Sequence, residues 1–219
     1  MCTECRVQFR LVERHRAVAL GRQPNVEELN LAAAGLTTNE RGVIPVNAWC
    51  QTDVPHIYAV GDLTGPPGLA SSAMEQGRRA VCHALNLPLG DAAHTIPLGI
   101  YTIPEMASIG LDEAAAKQRY ASVLVGHARF DEIARGQIAG VPNGLLKLVA
   151  DPTGRQLLGV QIVGDGATEL IHVGQTALQN SATIDSFVDN IFNFPTLAEA
   201  YRVAALSILG QRQTLSAAA

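Results

Sequence analysis

The chain has 219 residues, of which 47% are hydrophobic and 16% charged, and it carries a net charge of −4. That is enough chain for one large domain or two small ones, with apolar content for a sizeable core, and it excludes a disordered polymer. The acidic balance argues against nucleic acid or an anionic membrane surface as partner, and no window approaches the ~18 uninterrupted apolar residues of a membrane span.

The first sixteen residues, MCTECRVQFRLVERHR, are basic but lack the apolar stretch of a signal peptide, so the expected compartment is the cytoplasm. Cys2-x-x-Cys5 has redox or zinc spacing. No second cysteine pair or histidine pair completes a metal set, and no strand precedes the motif as a thioredoxin-like site requires, so it reads as incidental. Val18-Ala19-Leu20 predicts a short strand entering the turn Gly21 to Asn25. VEELNLAAAGL, residues 26–36, predicts a short helical or looped stretch with Gly35 as its C-terminal cap. Short extended pieces follow, then the apolar run Ile57-Tyr58-Ala59-Val60, read as a buried strand that ends on Gly61-Asp62. Cys50 and Cys82 read as small buried residues.

Gly65-Pro66-Pro67-Gly68 breaks the chain. LASSAMEQGRRAVCHAL, residues 69–85, predicts a helix with Leu69, Ala70, Ala73, Ala80, Val81 and Leu85 on or near one face. NLPLGDAAHTIP, residues 86–97, reads as a linker and a domain boundary. Beyond it, EMASIG (105–110) and ASVLVGHARF (121–130) predict strands around a helix DEAAAKQRY (112–120). GLLKLVA (144–150) and LLGVQIVG (157–164) predict a hairpin about Asp151-Pro152-Thr153-Gly154. Helices are expected at ATELIHVGQTALQN (167–180) and LAEAYRVAALSIL (197–209). A sheet followed by helices is α+β, so the chain as a whole reads as α/β followed by α+β.

Asp62 poses the sharpest chemical question. A carboxylate at the end of a buried parallel strand is expensive unless something pairs with it, and ligands of open α/β sheets sit outside the carboxyl ends of the strands. Asp62 therefore either caps a turn before Thr64-Gly65 or accepts hydrogen bonds from ligand hydroxyls. Gly164-x-Gly166 follows a strand and opens a helix, but the third glycine position of a dinucleotide fingerprint holds Glu169. It reads as a plain strand–helix turn, with Asp165 or Thr168 as the expected cap. His172, one position off the stripe Leu170, Ile171, Gly174, Ala177 and Leu178, is expected at the margin of a core.

The stretch TDVPHIYAVGDLTGPPGLASSAMEQGRRA, with Thr52, the apolar run Ile57 to Val60, Gly61 and Asp62 in order, closely resembles the second flavin-binding motif of the pyridine nucleotide–disulfide oxidoreductase family. The resemblance implies FAD as cofactor, NAD(P) as substrate, and Gly61-Asp62 at the ribityl chain. It places the helix N-terminus at Leu69, Ala70 and Ser71 beside the pyrimidine edge of the flavin. There, unsatisfied N–H groups and the positive dipole end would stabilise charge arriving with a hydride. The small residues Ala70, Ser71 and Ser72 would let the backbone approach; ordinary close packing also favours small residues, and that alternative stands beside the flavin one.

The resemblance divides the chain into the tail of an NAD(P)-binding domain (1–41), the last part of a FAD-binding domain (42–93) and a dimerisation domain (94–219). Ala19 to Asn25 resembles the segment that closes the NAD(P)-binding domain, whereas residues 1–16 do not resemble the family's corresponding strands and read as a wrongly called start or an out-of-frame extension. A homo-oligomer formed through residues 94–219 is implied.

FNFPTLAEAYRVAAL, from Phe192, separates branches of the family. Its dithiol enzymes carry His-Pro-Thr-x-x-Glu here, the histidine serving the redox cysteines as acid–base partner. Phe194 stands in the histidine's place, while Pro195, Thr196 and Glu199 keep the rest. A phenyl ring has no exchangeable proton, and Thr196-x-x-Glu199 doubles as a capping box. One branch lacks both disulfide and histidine and ends in such a run. Gly99 to Glu105, Ala128 to Gly140, Leu157 to Gly164 and Glu169 to Gln175 resemble it too. The resemblance to that branch implies hydride transfer between NADPH and NAD+ through FAD. A dihydrolipoyl dehydrogenase-like flavoprotein and a non-catalytic dimerisation module are the alternatives. No catalytic side chain and no metal set is assigned. No G-x-G-x-x-G follows a strand anywhere in the sequence, so the chain by itself is expected to be inactive.

Overall fold

A computed structural model of the protein describes residues 23–90 and 95–217. The chain falls into two compact units, one on each side of the junction between residues 91 and 92. The expectations for Cys2, Cys5, the strand Val18 to Leu20 and the domain start at His94 lie outside the described residues.

The second unit is built on a five-stranded sheet in the order β1-β2-β5-β4-β3: β1 Leu98–Ile100, β2 Met106–Gly110, β3 Leu124–Arg129, β4 Leu145–Ala150 and β5 Leu157–Val163. Each neighbouring pair is antiparallel. Period-two alternation sends Ala107, Ile109, Leu146, Leu148, Val160 and Ile162 into one core. Helices α4 (Ala167–Gln179), α5 (Ile184–Asp189) and α6 (Glu199–Ala217) contribute Ile171, Ile184, Ala204 and Ile208 to the same core. α6 packs along β3 and β4, and α4 along β2 and β5. Gly126 on β3 lies so close to α6 that an added Cβ would collide with the Ala204 carbonyl, so glycine sets this approach. Arg212 of α6 reaches Asp185 of α5 at 2.7 Å.

Helix α2, Glu113–Arg119, joins a smaller cluster in which Ala116 packs with Val149 and Leu158. Its cap is Asp112, which accepts from the Ala115 N–H at 2.7 Å. The β4–β5 hairpin turns as expected: Gly154 N–H donates to the Asp151 carbonyl at 2.8 Å, and the Asp151 carboxylate accepts from the amides of Arg155 and Gln156, each at 2.9 Å. Leu98, Ile100 and Met106 remain exposed along the β1–β2 edge.

Several expectations for this unit are corrected. β1, a short helix α3 (Ala134–Ile138) and α5 were not expected, and α6 runs on well past Leu209. Neither Asp165 nor Thr168 caps α4. Its N-cap is Gly166, at φ 69°, and the Thr168 amide and hydroxyl donate instead to the Glu105 carboxylate at 3.1 and 2.7 Å. A carboxylate brought from the β2 approach thus does the work of a local cap and meets the positive helix end. His172 is exposed rather than at a core margin, with its Nδ1 2.7 Å from Gln175 Oε1. The capping box before α6 is half formed: Glu199 accepts from the Thr196 N–H at 3.1 Å, but the Thr196 hydroxyl turns back to the Asn193 carbonyl at 2.7 Å.

The first unit holds α1, Ala70–Ala84, and short 3-10 turns at Glu27–Leu29, Leu31–Ala34 and Asp62–Thr64. Gly35 ends the second turn in the left-handed region at φ 71°, as its position predicts. The run Ile57 to Val60 joins no ladder among the described residues. Its single pairing is the bridge Gln51↔Tyr58, and only Ala59 of the four is buried. The reading of a fully buried strand is therefore corrected. The apolar face expected on α1 is also mostly open: Ala80 is buried, whereas Val81 and Leu85 are 55% and 64% exposed. Cys50 is buried as expected, and Cys82 is half-buried.

Candidate functional site

The site grows outward from Thr52. This threonine is buried, and its hydroxyl lies 2.9 Å from the Ile57 carbonyl and 3.1 Å from the Val54 carbonyl. Its own N–H donates to Ile57 at 3.0 Å. The loop Asp53 to His56 is thereby folded back, and Tyr58 comes to α1, where its hydroxyl hydrogen-bonds His83 Nδ1 at 2.8 Å. Trp49 stacks on the His83 ring, at a centroid distance of 5.2 Å. The burial and bonding of Thr52 explain why a threonine stands at the start of the motif.

The chain then reaches Gly61, at φ 81° and ψ −158°, a conformation essentially restricted to glycine. Asp62 opens the 3-10 turn, and Gly65 closes it at φ 96° in the same restricted region. The turn holds its shape through bonds from the Thr64 amide and hydroxyl to the Gly61 carbonyl, at 2.9 and 2.8 Å. It is tied to the preceding loop by the Ile44 N–H, which donates to the Leu63 carbonyl at 2.9 Å, and to α1 by Gln76, whose side-chain oxygen accepts from Gly61 N–H at 2.7 Å. An added Cβ on Gly61 would sit 3.5 Å from Ala73 Cβ, so the turn rests directly on α1.

Asp62 is exposed, and so are Ala70 and Ser71, while Gly61 and Leu69 are half-buried. Burial of the Asp62 carboxylate is thus corrected: it stands at the surface, within a fixed turn. Leu69 is the N-cap of α1, and its side chain makes no cap bond to the leading N–H groups of the helix. Among the described residues, the buried Ser72 hydroxyl finds no hydrogen-bond partner. An exposed carboxylate next to an uncapped helix start lined by Ala70 and Ser71 is a donor and acceptor set. It fits a ligand with hydroxyls at one place and developing negative charge at another. Gln76 was not singled out in the sequence. The available signal was that a glycine amide beside Asp62 needs an acceptor and that Gln76 is the amide side chain on the adjoining helix.

In the second unit, Phe194 is 74% exposed on the loop before α6. The Tyr201 hydroxyl, inside the core, donates to the Leu170 carbonyl at 2.8 Å and accepts from the Gly174 N–H at 3.1 Å. Burial raises the pKa of this phenol. Among the described residues no group of His, Cys, Asp and Glu side chains could hold a metal ion, and no helix is long and apolar enough to cross a membrane.

This antiparallel sheet with its helices is the fold of an oxidoreductase dimerisation domain. Residues 96–205 match the family model described as the pyridine nucleotide-disulphide oxidoreductase dimerisation domain, and residues 15–77 match the pyridine nucleotide-disulphide oxidoreductase model. The chain belongs to the pyridine nucleotide-disulphide oxidoreductase family. Among curated relatives, the soluble pyridine nucleotide transhydrogenase of Mycobacterium tuberculosis is 43% identical over 196 residues, 90% of this chain and 42% of that protein. The protein of the same name from Vibrio cholerae is 46% identical over 203 residues, 88% of this chain and 42% of that protein. The chain therefore spans less than half the length of these relatives. The crystal structure of LpdA from Mycobacterium tuberculosis superposes with a TM-score of 0.75 at 27% identity, covering 84% of this chain and 40% of that one. The HOCl-induced flavoprotein disulfide reductase RclA of Escherichia coli, with a TM-score of 0.81 at 23% identity over 86% of this chain and 44% of that one, shares the fold.

Proposed function

We propose that this chain is the flavin-contacting and dimer-forming part of a Si-specific NAD(P)+ transhydrogenase that moves hydride between NADPH and NAD+. The observation that carries the reading is the exposed Asp62, held in a fixed turn beside the uncapped start of α1. FAD, when bound, supplies a two-electron relay. Asp62 would accept hydrogen bonds from the hydroxyls of the ribityl chain. The N–H groups at Leu69, Ala70 and Ser71 would stabilise the negative charge that reaches the pyrimidine end of the ring with a hydride. The glycine turn that would hold the pyrophosphate is not in this sequence, so the chain binds no stoichiometric FAD by itself. Phe194 supports the transhydrogenase reading over a dithiol one, because its ring cannot carry the proton that dithiol chemistry requires.

The test uses a full-length form made by joining this chain to the front half of a relative. Asp62→Ala is expected to weaken FAD retention by about tenfold or more, since a charge-assisted hydrogen bond is worth about 1.5–3 kcal/mol. Flavin fluorescence after gel filtration reads the loss. Unchanged retention would reduce Asp62 to a turn residue.

A further inference from the structure

We propose that Gln76 is a positioning residue for the Asp62 site: its side-chain oxygen pins the turn bearing Asp62 to the helix whose first turn forms the other half of that site. The inference rests on the flavin reading above.

Gly61 and Gly65 both occupy backbone conformations that other residues avoid. Glycine reaches them without steric penalty, but it also has the most conformational freedom to lose there. The turn Asp62–Thr64 is thus flanked on both sides by permissive joints. The bonds from Thr64 to Gly61 fix the internal shape of the turn and do not fix its placement against α1. The part-buried bond from Gly61 N–H to Gln76 Oε1, at 2.7 Å, does fix it. It acts on the residue adjacent to Asp62, so it controls the offset between the carboxylate and the helix start. Van der Waals contact with Ala73 sets the distance of the turn from the helix and constrains its position along the helix less tightly than this bond does. A ligand gripped at both places needs that offset held to a fraction of an ångström, which is what a short, part-buried hydrogen bond supplies.

The first arm of the test uses the chain itself, labelled with nitrogen-15. Gln76→Leu removes the acceptor at nearly constant volume, and exchange of the Gly61 amide proton is expected to quicken about tenfold. Gln76→Glu keeps an acceptor and is expected to restore slow exchange, with the Gly61 amide shift now following the titration of the new carboxylate. The second arm is a double-mutant cycle on FAD affinity in the full-length form. Gln76→Leu is expected to weaken FAD about threefold to tenfold when Asp62 is present and to have little further effect in Asp62→Ala. Unchanged Gly61 exchange in Gln76→Leu overturns the tie. A loss that simply adds to that of Asp62→Ala overturns the positioning role and leaves a stability effect. FAD affinity indifferent to Asp62→Ala overturns the flavin reading, and the positioning role with it, whatever the exchange arm shows about the tie.

Discussion

Tyr201 shows how much one hydroxyl holds. It is fully buried, and its oxygen is bonded to the Leu170 carbonyl and the Gly174 amide, partners four residues apart on α4. Phe187 stacks on its ring at 5.2 Å. Removing the hydroxyl withdraws a buried partner from both backbone groups without opening them to water. Tyr201→Phe is therefore expected to destabilise the second unit by about 1–3 kcal/mol, read as a lower urea midpoint with an unchanged slope. A neutral result would mean that α4 closes its own ladder there. At this scale the sequence was uneven as a guide. Asp62 and Gly61 were legible because their order along the chain is a motif, and Phe194 because a proton-carrying residue is expected at its place. Gln76, Glu105 and Tyr201 act across separations that a linear reading does not see, so their partners emerged only with the fold.

At the scale of the element, the β4–β5 hairpin and α2 were readable because their determinants are local: Asp151 and Gly154 in the turn, Asp112 at the helix start. The run Ile57 to Val60 looked the same by composition, yet a strand is defined by its neighbours, and among the described residues it has only the bridge from Tyr58 to Gln51. The start of α4 failed for a related reason, since its cap comes from Glu105. Hydrogen bonds from the Thr168 hydroxyl and amide hold the Glu105 carboxyl below its ordinary value. The folded pKa is depressed, so this stabilisation is fully present above the unfolded value of about 4.3 and is lost as the pH falls through the folded value. Glu105→Gln should therefore lower stability at pH 7, and the gap from wild type should narrow towards pH 3. Urea midpoints measured across that range check it, and a gap independent of pH would assign the effect to shape alone.

For the whole molecule, the two units contrast. The second carries a continuous core across both α4 and α6, and it leaves Leu98, Ile100, Met106, Ile103 and Ile191 exposed. With its match to a dimerisation domain, it is expected to self-associate, and a stable dimer commonly buries about 2,000 Å² or more. Sedimentation at micromolar concentration should show a dimer, and a persistent monomer would count against it.

The strand order β1-β2-β5-β4-β3 also sets a schedule for folding. β4 and β5 need only close the turn Asp151 to Gln156, whereas β2 must find β5 across everything from Leu111 to Gln156. The entropy of closing a loop grows with its length, so the β3-β4-β5 meander should nucleate and β2 should dock late. Chevron analysis would show it. Val149→Ala should slow refolding, while Ile109→Val should leave refolding nearly untouched and hasten unfolding. The reverse pattern would place the long-range ladder in the nucleus.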